Sequence, residues 1–372
     1  MKKVAIITSH VIQYQLPFFN NLSKIKDIEF FFFSASDHGY KKRSFDNELK
    51  SNTQWVKKIN IKNFYLNKSK NKIGSFFLYY PNLISILKKK KIDKILILGW
   101  NKIIFWQAII FSIFNYCKIY LRAENNLERD QLIIFKFIKL IFFQLFFKIF
   151  DKIFYIGYLN KKFYLKYSVK SKKLIFCPYS VNNFFFQSIN KVKKKNKLSF
   201  IFVGKFIPRK NISLIIDVAN KLKTDSKLEF NLIGDGPLFS DVKKIIKKLK
   251  LKNVRLHGYK NQYQIRKLYK KNDILILPSA YETWGLVVNE AMAAGLPCIV
   301  SNKVGCRYDL VKNGKTGFIF RYNSSNDLCK KILYFKKNYF KLRMFKKEIK
   351  EQINKYSINK SISSLIDEFK KI

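Results

Sequence analysis

Short apolar runs of strand length, each followed by a segment of helix length, recur along most of this chain, and that alternation restricts the fold more than any other feature. In the first half, strands are expected at Val4–Ile7, Ile28–Phe33, Ile95–Leu98, Lys118–Leu121 and Ile153–Ile156. A polar stretch without periodicity, Gln187 to Lys197, interrupts the pattern. It restarts with Phe200–Val203, Phe230–Ile233, Val254–Leu256, Ile274–Leu277 and Cys298–Val300. Parallel strands need long crossovers, usually helices, so the reading is an α/β chain of two Rossmann-like, doubly wound parallel-sheet domains around a central cleft. The expected divisions are a first domain at 1–186, a linker at 187–197, a second domain at 198–350 and a C-terminal helix at 351–372 that crosses back to the first domain.

The chain has 372 residues, 48% of them hydrophobic, enough to fill two cores. Its formal net charge of +50 points to a polyanion partner, either nucleic acid or an anionic membrane surface. The charge is uneven: between Gln131 and Phe200 fifteen lysines accompany one acid, Asp151. From Gln131 to Tyr158 lysines punctuate a Phe/Ile/Leu-rich run, a composition suited to helices lying against an anionic bilayer, and equally to a buried helix with lysines reaching outward. No stretch approaches the roughly 20 apolar residues of a spanning helix, and the N-terminal apolar run reads as a first strand rather than a signal peptide. Five scattered cysteines show no metal-ligand spacing and their odd number argues against a disulfide framework, so a reduced, cytoplasmic setting at the inner membrane face is expected.

The chemistry-bearing segment is DILILPSAYETWGLVVNEAMAAGLPCIVS, Asp273 to Ser301. It reads as strand, loop, helix, strand, with Glu282 in the loop and Glu290 inside the helix. A helix N-terminus at the carboxyl end of a parallel strand offers unpaired N–H groups and a partial positive charge, which suits a phosphate. A carboxylate buried among Val287, Val288, Ala291 and Met292 needs hydrogen-bond partners, and a structural ion pair with a lysine would also supply them. Upstream, VGKFIPRKN places Gly204, Lys205 and Lys210 after the first strand of the second domain, where cations would meet a diphosphate. LIGDGP, with Gly234 and Gly236, is first of all turn chemistry. His257, Gly258 and Tyr259 end the next strand, where a nucleobase could lie.

Together VGKFIPRKN, LIGDGP, the HGY strand end and SAYETWGLVVNEAMAAGLPCIVSNKVG resemble the retaining, nucleotide-sugar-dependent glycosyltransferases of the glycogen-synthase-like group, which have the two-domain GT-B fold. The resemblance spans Phe200 to Phe320. By matching positions it implies that Glu282 contacts the donor sugar, that Lys205 and Lys210 neutralise the diphosphate, and that Glu290 binds the ribose hydroxyls. Backbone N–H groups of Trp284, Gly285 and Leu286 would receive phosphate oxygens, Gly204 would allow close approach, and Tyr259 would line the base. It further implies a nucleoside-diphosphate sugar donor, no metal and no other cofactor, and a glycan acceptor, lipid-linked given the basic, apolar first half. The chain departs from the pattern at Thr8, Ser9 and His10, where a glycine pair is frequent, at Asn211, where glycine is common, and at Trp284 and Asn182, where phenylalanine and an acid are common.

For the acceptor side, strand-end residues of the first domain are the candidates: His10, Arg122 and Glu124. His10 and the Arg122–Glu124 pair also suit plain structural roles, a salt bridge in the latter case. The rival readings are a nucleic-acid-binding protein, for which no zinc-finger, basic-zipper or RNP-like motif is present, and a nucleotide-sugar epimerase or hydrolase of the same fold.

Overall fold

Strands buried on both faces are apolar at consecutive positions, and both sheets of this chain are built from such strands. The computed structural model describes residues 1–38, 40, 44–46, 51–53, 59–67, 76–127, 133–187, 197–339 and 342–371. They form two compact units, one of Met1–Phe45, Asn52–Tyr179 and Ile358–Ile372, the other built mainly on Ser180–Ser357.

In chain order, the elements up to Tyr179 are β1 (Lys2–Thr8), α1 (Gln15–Leu22), β2 (Ile28–Ser34), β3 (Ser44–Asp46), β4 (Ser51–Thr53), β5 (Phe64–Leu66), α2 (Leu83–Lys89), β6 (Lys94–Ile97), α3 (Ile103–Phe114), β7 (Lys118–Leu121), α4 (Ile133–Phe146), β8 (Lys152–Tyr155), α5 (Tyr158–Lys166) and β9 (Leu174–Phe176), all of the first unit except that Asp46 of β3 and Ser51 of β4 fall in the second. The first unit's seven-stranded sheet runs β5-β2-β1-β6-β7-β8-β9, every pairing parallel, while β3 and β4 pair separately. Successive β1 side chains enter opposite cores. Ala5 and Ile7 join Phe31, Phe33, Ile104, Phe105 and Phe143 on one side, and Val4 and Ile6 join Phe19, Leu22, Phe30 and Phe32 on the other.

The second unit contains α6 (Asn183–Gln187), β10 (Leu198–Val203), α7 (Ile212–Lys221), β11 (Leu228–Ile233), α8 (Phe239–Lys248), β12 (Val254–Leu256), α9 (Gln262–Lys271), β13 (Ile274–Leu277), α10 (Leu286–Ala293), β14 (Cys298–Ser301), α11 (Arg307–Leu310), β15 (Gly317–Phe320), α12 (Ser325–Lys337) and α13 (Leu342–Asn354). Its all-parallel sheet has the order β12-β11-β10-β13-β14-β15, so strand order reverses between β10 and β13. That reversal is where open α/β sheets hold ligands.

The last helix, α14 (Ile358–Phe369), packs with the first unit. Leu365 and Phe369 are fully buried in the core shared with β1 and β2, and the Phe369 ring meets Phe30, Tyr120 and Phe154 at 5.3–6.3 Å. Two lysines close its C-terminus: Lys2 Nζ donates to the carbonyls of Lys370 and Lys371, and Lys94 Nζ to those of Phe369 and Lys371.

Several boundaries differ from the expected ones. The units part between Tyr179 and Ser180, ahead of residue 186, because α6 packs on α10 of the second unit. The segment expected as one helix at 351–372 is two, with Asn354 ending α13 in the second unit and Ile358 opening α14 in the first. Of the expected linker, residues 188–196 lie outside the described residues, as do 131 and 132 of the lysine-punctuated run. The short strands β5, β9 and β15 went unforeseen, since three or four residues between polar neighbours give little periodic signal.

Truncating Phe369 to alanine is expected to cost about 3–5 kcal/mol, the usual loss for a buried phenylalanine. Urea unfolding should show the loss in the first unit's transition, with the second unit's transition unchanged.

Candidate functional site

The loops that follow β10 and β13 flank the strand-order reversal of the second sheet, and Phe200 and Ile201 of β10 pair directly with Ile274 and Leu275 of β13. A short helical turn, Pro208–Lys210, carries Arg209 and Lys210. The next residue, Asn211, has φ 50° and ψ 47°. This left-handed conformation suits glycine or asparagine, which explains physically why asparagine can occupy that position. The two loops are joined by the backbone, Ala280 N–H donating to Arg209 C=O at 2.8 Å.

Glu282 is buried, and its carboxylate gathers three partners. Lys210 Nζ binds Oε1, Ser279 Oγ donates to Oε1 at 2.9 Å, and Arg209 Nη1 lies 3.5 Å from Oε2. Ser279 is itself fully buried, and its C=O accepts from Ser301 Oγ. The Lys210–Glu282 pair thus joins two residues that the resemblance matches to different parts of a donor substrate. Gly204 lies beside them: a Cβ there would sit 3.7 Å from Lys210 Cε.

Helix α10 starts beside this pair. Its N-cap, Gly285, has φ 100°, and Val288 N–H is already bound to the Gly285 carbonyl, whereas the first-turn N–H groups of Leu286 and Val287 have no helical carbonyl before them. Trp284 turns its ring inward, 4% exposed, with its indole N–H donating to Asn289 Oδ1 at 2.8 Å and the ring 5.9 Å from Tyr356. That leaves only its backbone for the ligand contact the resemblance implies. Glu290, inside α10, is buried and accepts a 2.9 Å hydrogen bond from the hydroxyl of Tyr269, a fully buried residue of α9.

Two glycines are required by close approach rather than by turn chemistry alone. A Cβ on Gly234 would fall 1.8 Å from the Gly204 carbonyl oxygen, so LIGDGP abuts the VGKF loop. A Cβ on Gly305 would fall 2.0 Å from the Thr283 carbonyl oxygen, and Gly305 N–H donates to Glu282 C=O at 3.0 Å. Gly305 thereby braces the backbone that carries Glu282. At the HGY strand end, His257 is engaged within the sheet, its Nε2 2.7 Å from Asn231 Oδ1, while Tyr259 stands 57% exposed.

In the first unit, His10 follows β1, and its Nδ1 lies 2.9 Å from Ser9 Oγ. Burial, then the neighbouring His38 and Lys102, lower its pKa from 6.5 to about 4. The Arg122 guanidinium lies between the Phe18 and Tyr179 rings and donates to the Pro178 carbonyl at 3.1 Å. Glu124 reaches solvent, yet the protein atoms packed around its carboxyl raise its pKa, against the opposing hydrogen bond with Tyr179 and the charge of Arg122.

The structure thus brings Gly204, Lys210, Glu282 and the first turn of α10 together, and adds residues that the sequence did not single out. Ser279 stands three positions before Glu282 and could have been suspected as a partner at the strand end. Tyr269 reaches Glu290 from another helix, a contact without local sequence signal.

The whole-chain architecture is GT-B, two Rossmann-like units. A glycosyltransferase from Rickettsia africae superposes with a TM-score of 0.77 at 16% identity, covering 99% of this chain and 98% of that one. Anabaena HepE in complex with UDP gives 0.75 at 14% identity, covering 99% and 100%. Residues 182–352, nearly the whole second unit, match the family described as glycosyl transferases group 1. Among curated relatives, the Escherichia coli UDP-Gal:alpha-D-GlcNAc-diphosphoundecaprenol alpha-1,3-galactosyltransferase is 38% identical over 138 residues, 35% of this chain and 34% of that protein. The chain matches the first of these relatives over about a third of their length.

Replacing Gly305 by alanine is expected to destabilise the second unit by about 1–3 kcal/mol through overpacking against Thr283, read as a lowered denaturant midpoint. For His10, whose folded pKa lies below its unfolded value, the unfolded chain binds more protons between the two. Stability of the first unit should therefore fall as pH drops from about 6.5 towards 4, and the His10 ring resonance should titrate near 4; a midpoint near 6.5 would contradict the burial.

Proposed function

We propose that this chain is a retaining glycosyltransferase that moves a sugar from a nucleoside diphosphate to a glycan acceptor, without a divalent metal. The proposed acceptor is lipid-linked and the setting cytoplasmic, in assembly of a bacterial surface polysaccharide or lipopolysaccharide. One observation carries the reading: a buried carboxylate and a lysine, Glu282 and Lys210, are paired at the β10/β13 reversal beside the open N-terminus of α10. The UDP held by HepE supports the donor class, and the diphosphoundecaprenol named for the E. coli relative supports the acceptor class.

In the proposed reaction the anomeric carbon–oxygen bond to the diphosphate breaks while the acceptor oxygen bonds to the same face of that carbon. The departing phosphate oxygen takes the acceptor's hydroxyl proton, so no dedicated protein base is needed. Lys205, Lys210 and the N–H groups of Gly285 and Leu286 offset the charge that grows on the diphosphate, the task a metal performs elsewhere. Sugar hydroxyls donate to Glu282, replacing part of its contact with Lys210 and leaving that cation for the phosphate. Glu290, oriented by Tyr269, accepts from the ribose hydroxyls. On the first unit, His10, Arg122 and Glu124 are the proposed acceptor-side residues, His10 as a neutral imidazole.

The test is a panel of UDP-, GDP- and ADP-sugars with a chelator present. One donor should bind, and Glu290→Ala should weaken it roughly 10- to 100-fold, the loss of a hydrogen bond to a charged group. Lys210→Ala should lower turnover by about 10²–10³. If no nucleotide sugar binds the folded wild type, the proposal fails; release of free sugar with no demand for an acceptor would instead favour a hydrolase.

A further inference from the structure

Helix α4 turns large apolar side chains into solvent. Phe137, Ile138, Ile141, Phe142 and Leu145 are all exposed, Phe137 by 68%, and their spacing places them on one helical face. The other face is consumed by the core, where Phe143 and Phe146 are buried. Helix α3 repeats the arrangement: Ile104, Phe105 and Ala108 point into the core while Ile113 and Phe114 stand outside, Phe114 79% exposed. The helices are neighbours, the rings of Trp106 and Phe146 lying 5.5 Å apart. Two adjacent outward apolar stripes exceed what scattered exposure on a soluble surface requires.

The charge carried by these helices has one sign. Helices α2, α3 and α4 contain no aspartate or glutamate, and Lys88, Lys89, Lys118 and Lys148 are exposed at their ends. Among the described residues, the two acids that follow α2 and α4 most closely, Asp93 and Asp151, accept backbone N–H groups of Lys3 and Ile119. Protein–protein interfaces are depleted of lysine, whereas an apolar face rimmed by lysines fits the boundary between acyl chains and anionic headgroups. Among the described residues no helix is long and apolar enough to cross a membrane, so the geometry is that of a surface lying on the bilayer.

We infer that the outward faces of α3 and α4 form a docking surface for an anionic phospholipid bilayer, the apolar stripes entering the headgroup boundary and the lysines meeting the lipid charge. The inference does not rest on the proposed chemistry, because vesicle binding is read without any substrate. The experiment is flotation of the full chain with phosphatidylcholine vesicles, with and without phosphatidylglycerol, at low and high salt. Two variants accompany it, Phe137→Ser/Ile141→Ser/Leu145→Ser and Ile113→Ser/Phe114→Ser, each checked for an unchanged thermal midpoint. The wild type should float with the anionic vesicles, and each variant should lose roughly tenfold in partitioning. No binding by the wild type, or equal binding by both variants, overturns the inference, the latter showing that net charge alone drives adsorption. A wild-type dimer that the variants dissolve, with no vesicle binding, would assign the face to a second copy instead.

Discussion

The pairing of β10 with β13 is the constraint on which the candidate site depends. Placing the fourth strand of the unit beside the first sends α7 and α10 to different places around the sheet and leaves the loops after β10 and β13 side by side. Lys210 arrives from one loop and Glu282 from the other, residues far apart in sequence yet in contact. The remaining supports, Gly234 against Gly204 and Gly305 against Thr283, hold those loops at distances where a methyl group would not fit. A site of this kind is precise because its backbone is crowded, which is the general requirement for orienting charged groups.

Two buried carboxylates in one segment are stabilised by different means. The Glu282 carboxylate lies next to two cations and a serine hydroxyl, an arrangement that opposes desolvation with direct Coulomb attraction. Glu290 receives a phenol from Tyr269. A carboxylate held by ammonium and guanidinium groups makes charge-assisted hydrogen bonds, which are shorter and stronger than those between neutral groups. The chain thus places a carboxylate paired with cations and one that accepts from a phenol in the same strand–loop–helix segment.

Much of this was legible in the sequence, for identifiable reasons. Buried parallel strands such as Ile274–Leu277, and Lys118–Leu121 beyond its exposed first lysine, are continuous apolar runs and fall where the sequence pattern put them. The lysine- and glycine-bearing loops follow strand ends, so their positions came with the strands. What stayed hidden depends on contacts between distant segments: Tyr269 meeting Glu290 across helices, the inward turn of Trp284, and the break at Tyr179. The polar stretch after Gln187 looked like the boundary because composition changes there, but packing of α6 on α10 set the division earlier. The outward face of α4 was half visible, since composition showed lysines among aromatics without showing which rings the core would take.

The placement of α14 also sets an order of events during synthesis. The first unit's sheet precedes the second unit in the chain, but the core on its β1/β2 side lacks Leu365 and Phe369 until α14 has emerged from the ribosome. The second unit, whose main part runs without interruption from Ser180 to Ser357, has all of its strands before then. The first unit is therefore completed only after the second unit's strands have been made, and until then it exposes an apolar sheet face that chaperones would recognise.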